Sequence, residues 1–448
     1  MAHNPPDSNY RSLSFWHDNL PESLQPRPPL TTDIDADVAI VGAGYTGLWT
    51  AWYLKQLEPS LNIAILEAEI AGFGASGRNG GWCSGYLSGI EYWLNDQRSR
   101  EGAIRLQRLM FDAVDEVGRV SQESSIDCHY ERSGNLEIAV NKGQLKRLRK
   151  QLEYSRSLGF GEEDYRWLDQ GQIRQTLDVD QALAAVHMSH TAAIHPCCLA
   201  RGLAERLEGM GVTIFENSPV TDLGPNYLET ANAKVRSNTL IVATEGYSDS
   251  IPDFYRRQIP VHSMMVATEP LSDAQLEGLH FDRRYTFGNL DHLVTYGQLT
   301  TDRRIAFGCR GTYHYGSGIR EFPPDDPEFQ VVRDTLLRFF PDLKGIGFTH
   351  AWGGAMGVTR SMRPSVNFDP DSGVGWAGGY FGNGVGASNL AGRTLADLVL
   401  NRDTDRVQTP WVNPRDMSGK WEIEPVRWLG FRFVRLMMKM ADRREYLS

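Results

Sequence analysis

Residues 37–81 constrain this chain more than any other stretch: DVAIVGAGYTGLWTAWYLKQLEPSLNIAILEAEIAGFGASGRNGG. The apolar run Val38 to Val41 reads as a buried parallel strand, covered on both faces. Gly42-Ala43-Gly44-Tyr45-Thr46-Gly47 follows as a GxGxxG turn. A helix is predicted from about Tyr45 to Leu57, with Gly47, Ala51 and Leu54 on the face that meets a sheet. Pro59 and Ser60 stop it. A second strand, Ile63 to Leu66, ends at Glu67, 20 residues after Gly47. A glycine pattern alone would be an ordinary turn. Strand, turn, helix, strand and acid together make a βαβ dinucleotide unit.

Each position of the turn has a physical task. Gly42 permits the tight bend, Gly44 lets a pyrophosphate approach the backbone, and Gly47 lets helix and strand pack closely. The first N–H groups of the helix, Tyr45 and Thr46 among them, have no intrahelical acceptor, and with the helix dipole they favour an anion. Glu67, followed by Ala68, can accept hydrogen bonds from a ribose diol.

A second glycine-rich stretch follows at once. Ala71 to Gly81 spends five glycines, a Ser, an Arg and an Asn on a segment expected to be extended along a long ligand. Ala75, Ser76, Arg78, Asn79, Gly80 and Gly81 are its candidate binding residues. A third such loop, Trp376 to Gly386, leads into a helix predicted from about Ser388 to Leu400.

On GAGYTGLWTAWYLKQLEPSLNIAILEAEIAGFGASGRNGGW the chain resembles the D-amino-acid-oxidase-like FAD oxidoreductases, and within them the γ-glutamylputrescine oxidoreductase and aminophosphonate oxidoreductase branch. The resemblance covers roughly residues 34–415. It implies an α/β plus α+β architecture: a Rossmann-type FAD-binding domain with an inserted mixed or antiparallel β-sheet substrate domain. It implies FAD as cofactor. Arg78 would meet a phosphate or a flavin edge. Val220 would face the adenine, with Ala243, Thr244 and Gly246 over the pyrophosphate. Gly382, Asn383, Gly384 and Val385 would lie under the flavin ring, their amides stabilising negative charge on it. Thr244 also reads as a hydroxyl capping its own backbone at a strand end.

The expected organisation is an amino-terminal arm over 1–33, FAD-domain segments over 34–120, 181–255 and 349–415, and a substrate or cap segment over 121–180. A substrate domain is expected over 256–348 and a carboxy-terminal amphipathic helix over 416–448. Phe15-Trp16 is the arm's aromatic anchor. Strands are expected around 133–140, 213–215, 227–230 and 239–244, and helices over 91–118, 141–157, 196–211 and 327–340. Residues 256–348 are β-rich, with a hairpin turn at Thr300 to Arg303.

A net charge of −10 excludes a general nucleic-acid surface, so an anionic substrate needs a local cationic pocket. MAHNPPDSNYRSLSFW has no apolar core of a secretory signal, and no stretch is long enough to span a membrane. The five cysteines, Cys83, Cys128, Cys197, Cys198 and Cys309, include no CxxC pair. They read as reduced thiols of a cytoplasmic protein without a metal site, Cys83 and Cys309 being the two that could approach the cofactor.

The resemblance implies oxidation of a C–N bond in a small amine or amino acid. Hydride passes to flavin, and the imine formed hydrolyses. Relatives hold the substrate acid with an arginine in the inserted sheet. Here Gln298 stands where arginine is frequent, and Phe307-Gly308-Cys309-Arg310-Gly311 keeps one. Arg310 is therefore the expected clamp, with Tyr313 and His314 beside it and Arg360 or Arg363 in reserve. The electron acceptor is O2, or a quinone if the basic terminal helix rests on a membrane. A third reading is a non-catalytic flavin-binding protein.

Overall fold

The computed structural model describes residues 10–21, 23–414 and 419–447. The start of the arm, residues 1–9, and the junction at 415–418 lie outside the described residues.

The βαβ unit forms with the expected bounds: strand Val38–Val41, helix Tyr45–Leu57 and strand Ile63–Leu66. Every residue of both strands is buried, which is why they read as apolar runs rather than as alternations. They sit in a six-stranded sheet, in the order Ser365–Asp369, Val374–Gly378, Thr239–Val242, Val38–Val41, Ile63–Leu66, Thr213–Phe215. All neighbours are parallel except the first pair. Helix Gly384–Val399 packs across Tyr45–Leu57, burying Leu390, Ala391 and Leu395 in the largest core.

The inserted domain is an eight-stranded sheet. Its order is Phe348–Thr359, Gln258–Thr268, Ile305–Tyr313, Thr295–Leu299, Thr286–Asn289, Asn135–Ala139, Ala184–Met188, Tyr165–Asp169. Thr286–Asn289 and Asn135–Ala139 run parallel and all other neighbours antiparallel, so the sheet is mixed. Helix Pro327–Phe339 covers one face over Phe287, Phe307 and Met264. The sheet takes in Ala184–Met188 and continues to Thr359, past the expected boundaries at 181 and 348. Backbone pairing of each strand with its neighbour carries it across those points. The arm packs on the body through its aromatic anchor: Phe15 and Trp16 are buried, and the Trp16 indole donates to the Asn79 carbonyl at 2.7 Å.

The carboxy-terminal helix, Val426–Tyr446, docks on the inserted sheet. Asp442 accepts the His292 and Leu293 amides, Tyr446 donates to Asp291 at 2.9 Å, and Arg435 pairs with Glu328. Trp428 and Phe431 turn inward onto Tyr315 and Tyr313. No helix among the described residues is long and apolar enough to cross a membrane.

Candidate active site

The three glycine-rich loops open on one cavity of about 1480 Å³ between the two sheets. That exceeds the ~300–1,000 Å³ of ordinary small-molecule pockets and leaves room for a dinucleotide cofactor and a substrate together. Gly44 and Gly384, far apart in sequence, both line it.

The first loop is fixed by sterics. Gly42 has φ +101°, and a Cβ there would lie 2.7 Å from the Ala243 carbonyl oxygen. A Cβ on Gly47 would lie 2.1 Å from the Gly42 carbonyl oxygen, so no side chain fits. Gly47 itself does not reach the cavity; it brings helix and turn together. Gly42, Gly44, Tyr45 and Thr46 do line it. Helix Tyr45–Leu57 has no side-chain bond from its cap, and the Tyr45 amide is taken instead by Ser76 Oγ at 2.9 Å. Thr46 Oγ1 meets the Tyr380 hydroxyl at 2.9 Å, tying the first loop to the third.

Glu67 stands at the strand end, beside Ala68 in the wall. Its carboxylate accepts the Ala43 and Glu69 amides at 2.8 and 3.1 Å. Burial pushes it up to about 7 against those two bonds. A ribose diol donating to it would favour its charged form.

The second loop differs from expectation. Ala75–Arg78 is a short helix rather than an extended segment, because Gly77 and Asn79 amides close turns onto Gly74 and Ala75. Ala75, Ser76, Arg78, Asn79 and Gly80 still line the cavity. Gly81 does not; it bends away, φ +71°, with its amide on the Asn79 side chain. Arg78 is already engaged. It donates from Nε to the Phe73 carbonyl and from Nη1 to Glu321, both within 2.8 Å, and lies over the Phe73 ring. Its Nη2 is buried with no partner among the described residues, a donor left for a ligand.

Val220, Ala243, Thr244 and Gly246 also line the cavity, Ala243 directly beside Gly42. The Thr244 hydroxyl meets Ser248 Oγ at 3.0 Å rather than its own backbone. Glu245 between them accepts the Gly379 and Tyr380 amides, joining this wall to the third loop. Gly382, Asn383, Gly384 and Val385 complete it. Helix Gly384–Val399 begins four residues earlier than expected and has no side-chain cap, so its first amides are unclaimed by a cap at the cavity. Buried amides, an orphaned guanidinium nitrogen and a carboxylate at the strand end are a donor set that fits a dinucleotide flavin.

Arg310 is the one expected substrate residue that reaches this space. It lies over the Phe381 ring at 4.2 Å, and its Nη2 donates to the Phe381 carbonyl at 3.2 Å. Phe381 holds φ +48°, a left-handed conformation costly for a non-glycine residue. Among the described residues Arg310 has no carboxylate partner. Burial pulls it below the usual guanidinium range, opposed by the nearby Tyr86 and Tyr296 hydroxyls.

Tyr313 and His314 do not line the cavity, and this corrects the expectation for both. Arg310 pairs with Ser263 and Tyr313 with Val261, so a bulge keeps both on one face. The terminal segment then covers Tyr313. Its hydroxyl donates to Glu424 at 2.5 Å, and its ring packs on Phe431. His314 follows the strand end and packs on His262 and Phe322, where burial lowers it. Arg360 pairs with Glu422 and lies outside the cavity wall. Arg363 lies over the Tyr92 and Trp93 rings. Gln298 is fully buried. It donates to the Gly80 and Ile194 carbonyls and accepts from Arg284, so it braces the second loop. Cys83 and Cys309 are core residues away from the cavity, Cys309 pushed up to about 12 by burial.

Sequence reasoning missed Tyr86, Glu91, Glu137, Tyr165 and Tyr296, which line the cavity with Arg310. One signal was available: Glu137 is the charged residue at the centre of a strand flanked by buried Leu136 and Ile138.

The family model for FAD-dependent oxidoreductases, DAO, matches residues 37–398. The chain belongs to that family. It is an FAD-dependent oxidoreductase, and its fold is that of the family's flavoproteins. It is 33% identical over 387 residues to γ-glutamylputrescine oxidoreductase of Escherichia coli, covering 85% of this chain and 87% of that one. It is 29% identical over 401 residues to the probable oxidoreductase OrdL of Haemophilus influenzae, covering 87% and 88%. The glycine oxidase structure from Geobacillus kaustophilus superposes with a TM-score of 0.68 at 18% identity, covering 83% of this chain and 96% of that one.

Proposed function

We propose that this chain oxidises a C–N bond of a small amine or amino acid that carries an anionic group, γ-glutamylputrescine-like and aminophosphonate-like compounds being the favoured substrates. The observation that carries the reading is Arg310: a half-buried cation without a carboxylate partner among the described residues, beside the Phe381–Gly382 turn. A planar guanidinium fork suits a carboxylate or phosphonate in two hydrogen bonds. The similarity to γ-glutamylputrescine oxidoreductase supports the C–N choice.

FAD, when bound, supplies the two-electron acceptor that turns the amine into an imine, which water then hydrolyses. The chain's residues do the rest. Gly42, Gly44, Tyr45, Thr46, Glu67, Ala68, Ser76 and the 382–385 amides hold the cofactor. Arg310 fixes the substrate's anionic group, and Tyr296 and Met356 confine it. The enclosing sheet keeps water from the neutral amine, whose lone pair assists loss of the adjacent hydrogen. Steady-state kinetics of Arg310→Ala tests the clamp. A rise of roughly 30-fold or more in KM for an anionic amine is expected; an unchanged KM removes Arg310 from it.

A second reading concerns the acceptor. The outward face of helix Val426–Tyr446 exposes Val426, Leu429, Phe433, Leu436, Met437 and Met440, with Arg432, Lys439 and Arg443 along one flank. This helix lies outside the family match. An apolar stripe with a basic flank suits an anionic membrane surface, where a quinone could take the electrons in place of O2. Co-flotation with phosphatidylglycerol vesicles but not with neutral ones is expected. No co-flotation, with rapid reoxidation by air, leaves O2 as the acceptor.

A further inference from the structure

The cavity does not end at Arg310. It continues between strands Asn135–Ala139, Tyr165–Asp169 and Ala184–Met188 and the helix Lys142–Ser157, where Leu148, Leu152, Phe160, Val186 and Met188 make an apolar wall. Glu137 stands in that wall. Its strand fixes it from both sides, pairing it with Gly288 and Val186. Leu136 and Ile138 point to the opposite face, into the core of the inserted domain. The Glu137 side chain is half-buried and open to the cavity, with no hydrogen bond or ion pair among the described residues.

Its neighbours differ. Glu67 and Glu245 are each held by two backbone amides, and Glu91 takes the Tyr86 hydroxyl. A carboxylate held in a cavity without a protein partner is partly desolvated, and a ligand cation offsets that cost. Tyr86, whose hydroxyl donates to Glu91, lines the same cavity as Glu137 and Arg310. Tyr165 lies on the same face of the sheet, two residues along its strand from Trp167, which faces Glu137 across Val186. Carboxylate and aromatic faces together are the surroundings that ammonium and guanidinium groups prefer.

We propose that Glu137, with Tyr86, Tyr165 and Glu91 around it, forms a subsite for a second cationic group, so that the substrate is an amine carrying a further ammonium or guanidinium remote from the C–N bond that is oxidised. This rests on the amine-oxidation reading of the same cavity. Burial alone pushes Glu137 up to about 7, and a cation alongside would restore its charged form.

The test compares isosteric pairs on the flavin-loaded enzyme: lysine against norleucine, and α,ω-diamines of three to six carbons against the matching monoamines. Binding is read from perturbation of the flavin's visible bands and from calorimetry. The dicationic member of at least one pair is expected to bind roughly 10- to 100-fold tighter. Glu137→Gln should abolish that preference while leaving the monoamine unchanged. Equal binding within every pair, failure of every dicationic probe to bind, or a preference that survives Glu137→Gln overturns the subsite. The two readings fail separately: anaerobic bleaching by amines without a preference for dications overturns only the subsite, and tight dication binding without bleaching by any amine overturns only the C–N chemistry.

Discussion

The two ends of the cavity are built from different materials. At the cofactor end the wall is backbone: the 42–47 turn, the Ala75–Arg78 helix and the amides opening helix Gly384–Val399. At the substrate end it is side chains from the inserted sheet and the 86–92 segment, Arg310 and Glu137 among them. Backbone walls require particular residues, because only glycine leaves room for the chain to approach itself. Side-chain walls require only a sheet of the right shape, and tolerate exchange of the residues that choose the substrate.

Substitutions can break or sharpen this contrast. The largest effect is expected from Gly47→Val. A branched side chain cannot occupy a site whose first carbon already lies 2.1 Å from a carbonyl oxygen. The helix must shift, at a cost on the order of 3 kcal/mol or more, and the purified protein should be colourless. A yellow Gly47→Val protein of normal stability would mean that the backbone wall is less exacting than argued. Arg310→Ala comes next. It should cost about 2–5 kcal/mol in kcat/KM for an anionic amine while leaving the flavin spectrum intact, which separates the two ends of the cavity.

A smaller effect concerns pH. Burial holds His17, His195 and His262 down to about 3, against an ordinary 6.5. The unfolded chain binds those protons first. The contribution of these histidines is therefore level above pH 6.5 and falls as pH drops from there toward 3, while Glu67, Glu137 and Glu245, pushed up to about 7 by burial, contribute with the opposite sign between 4.5 and 7. One unit below the ordinary value each histidine costs on the order of 1 kcal/mol, which urea midpoints of the wild type against His262→Gln at several pH values would isolate. A gap between the two midpoints that stays constant on acidification would contradict the burial. The smallest effect is expected from His314→Ala. Lying outside the cavity, it should change kcat/KM by less than about threefold, within the range of a distant substitution.

The same contrast explains what the sequence made legible. Val38–Val41, Tyr45–Leu57 and Ile63–Leu66 could be read to the residue because periodicity, glycine spacing and the terminal acid all agree. The mixed sheet was legible as a texture, but its membership was not. Asn135–Ala139 joins Thr286–Asn289, more than 100 residues away, and brings Ala184–Met188 and Tyr165–Asp169 into the sheet with it; no local pattern announces such a partner. Tyr313 and His314 were misjudged because proximity to Arg310 in sequence says nothing of the terminal segment that covers Tyr313. The short helix at Ala75–Arg78 was read as extended because its glycines weaken any helical pattern.

The most direct measurement is anaerobic titration of the yellow enzyme with paired donors, an amino acid or amine against the 2-hydroxy acid of the same skeleton, watching the flavin's visible bands. The account predicts bleaching by the amine and none by the hydroxy acid. Bleaching by the hydroxy acid with no response to any amine would contradict it.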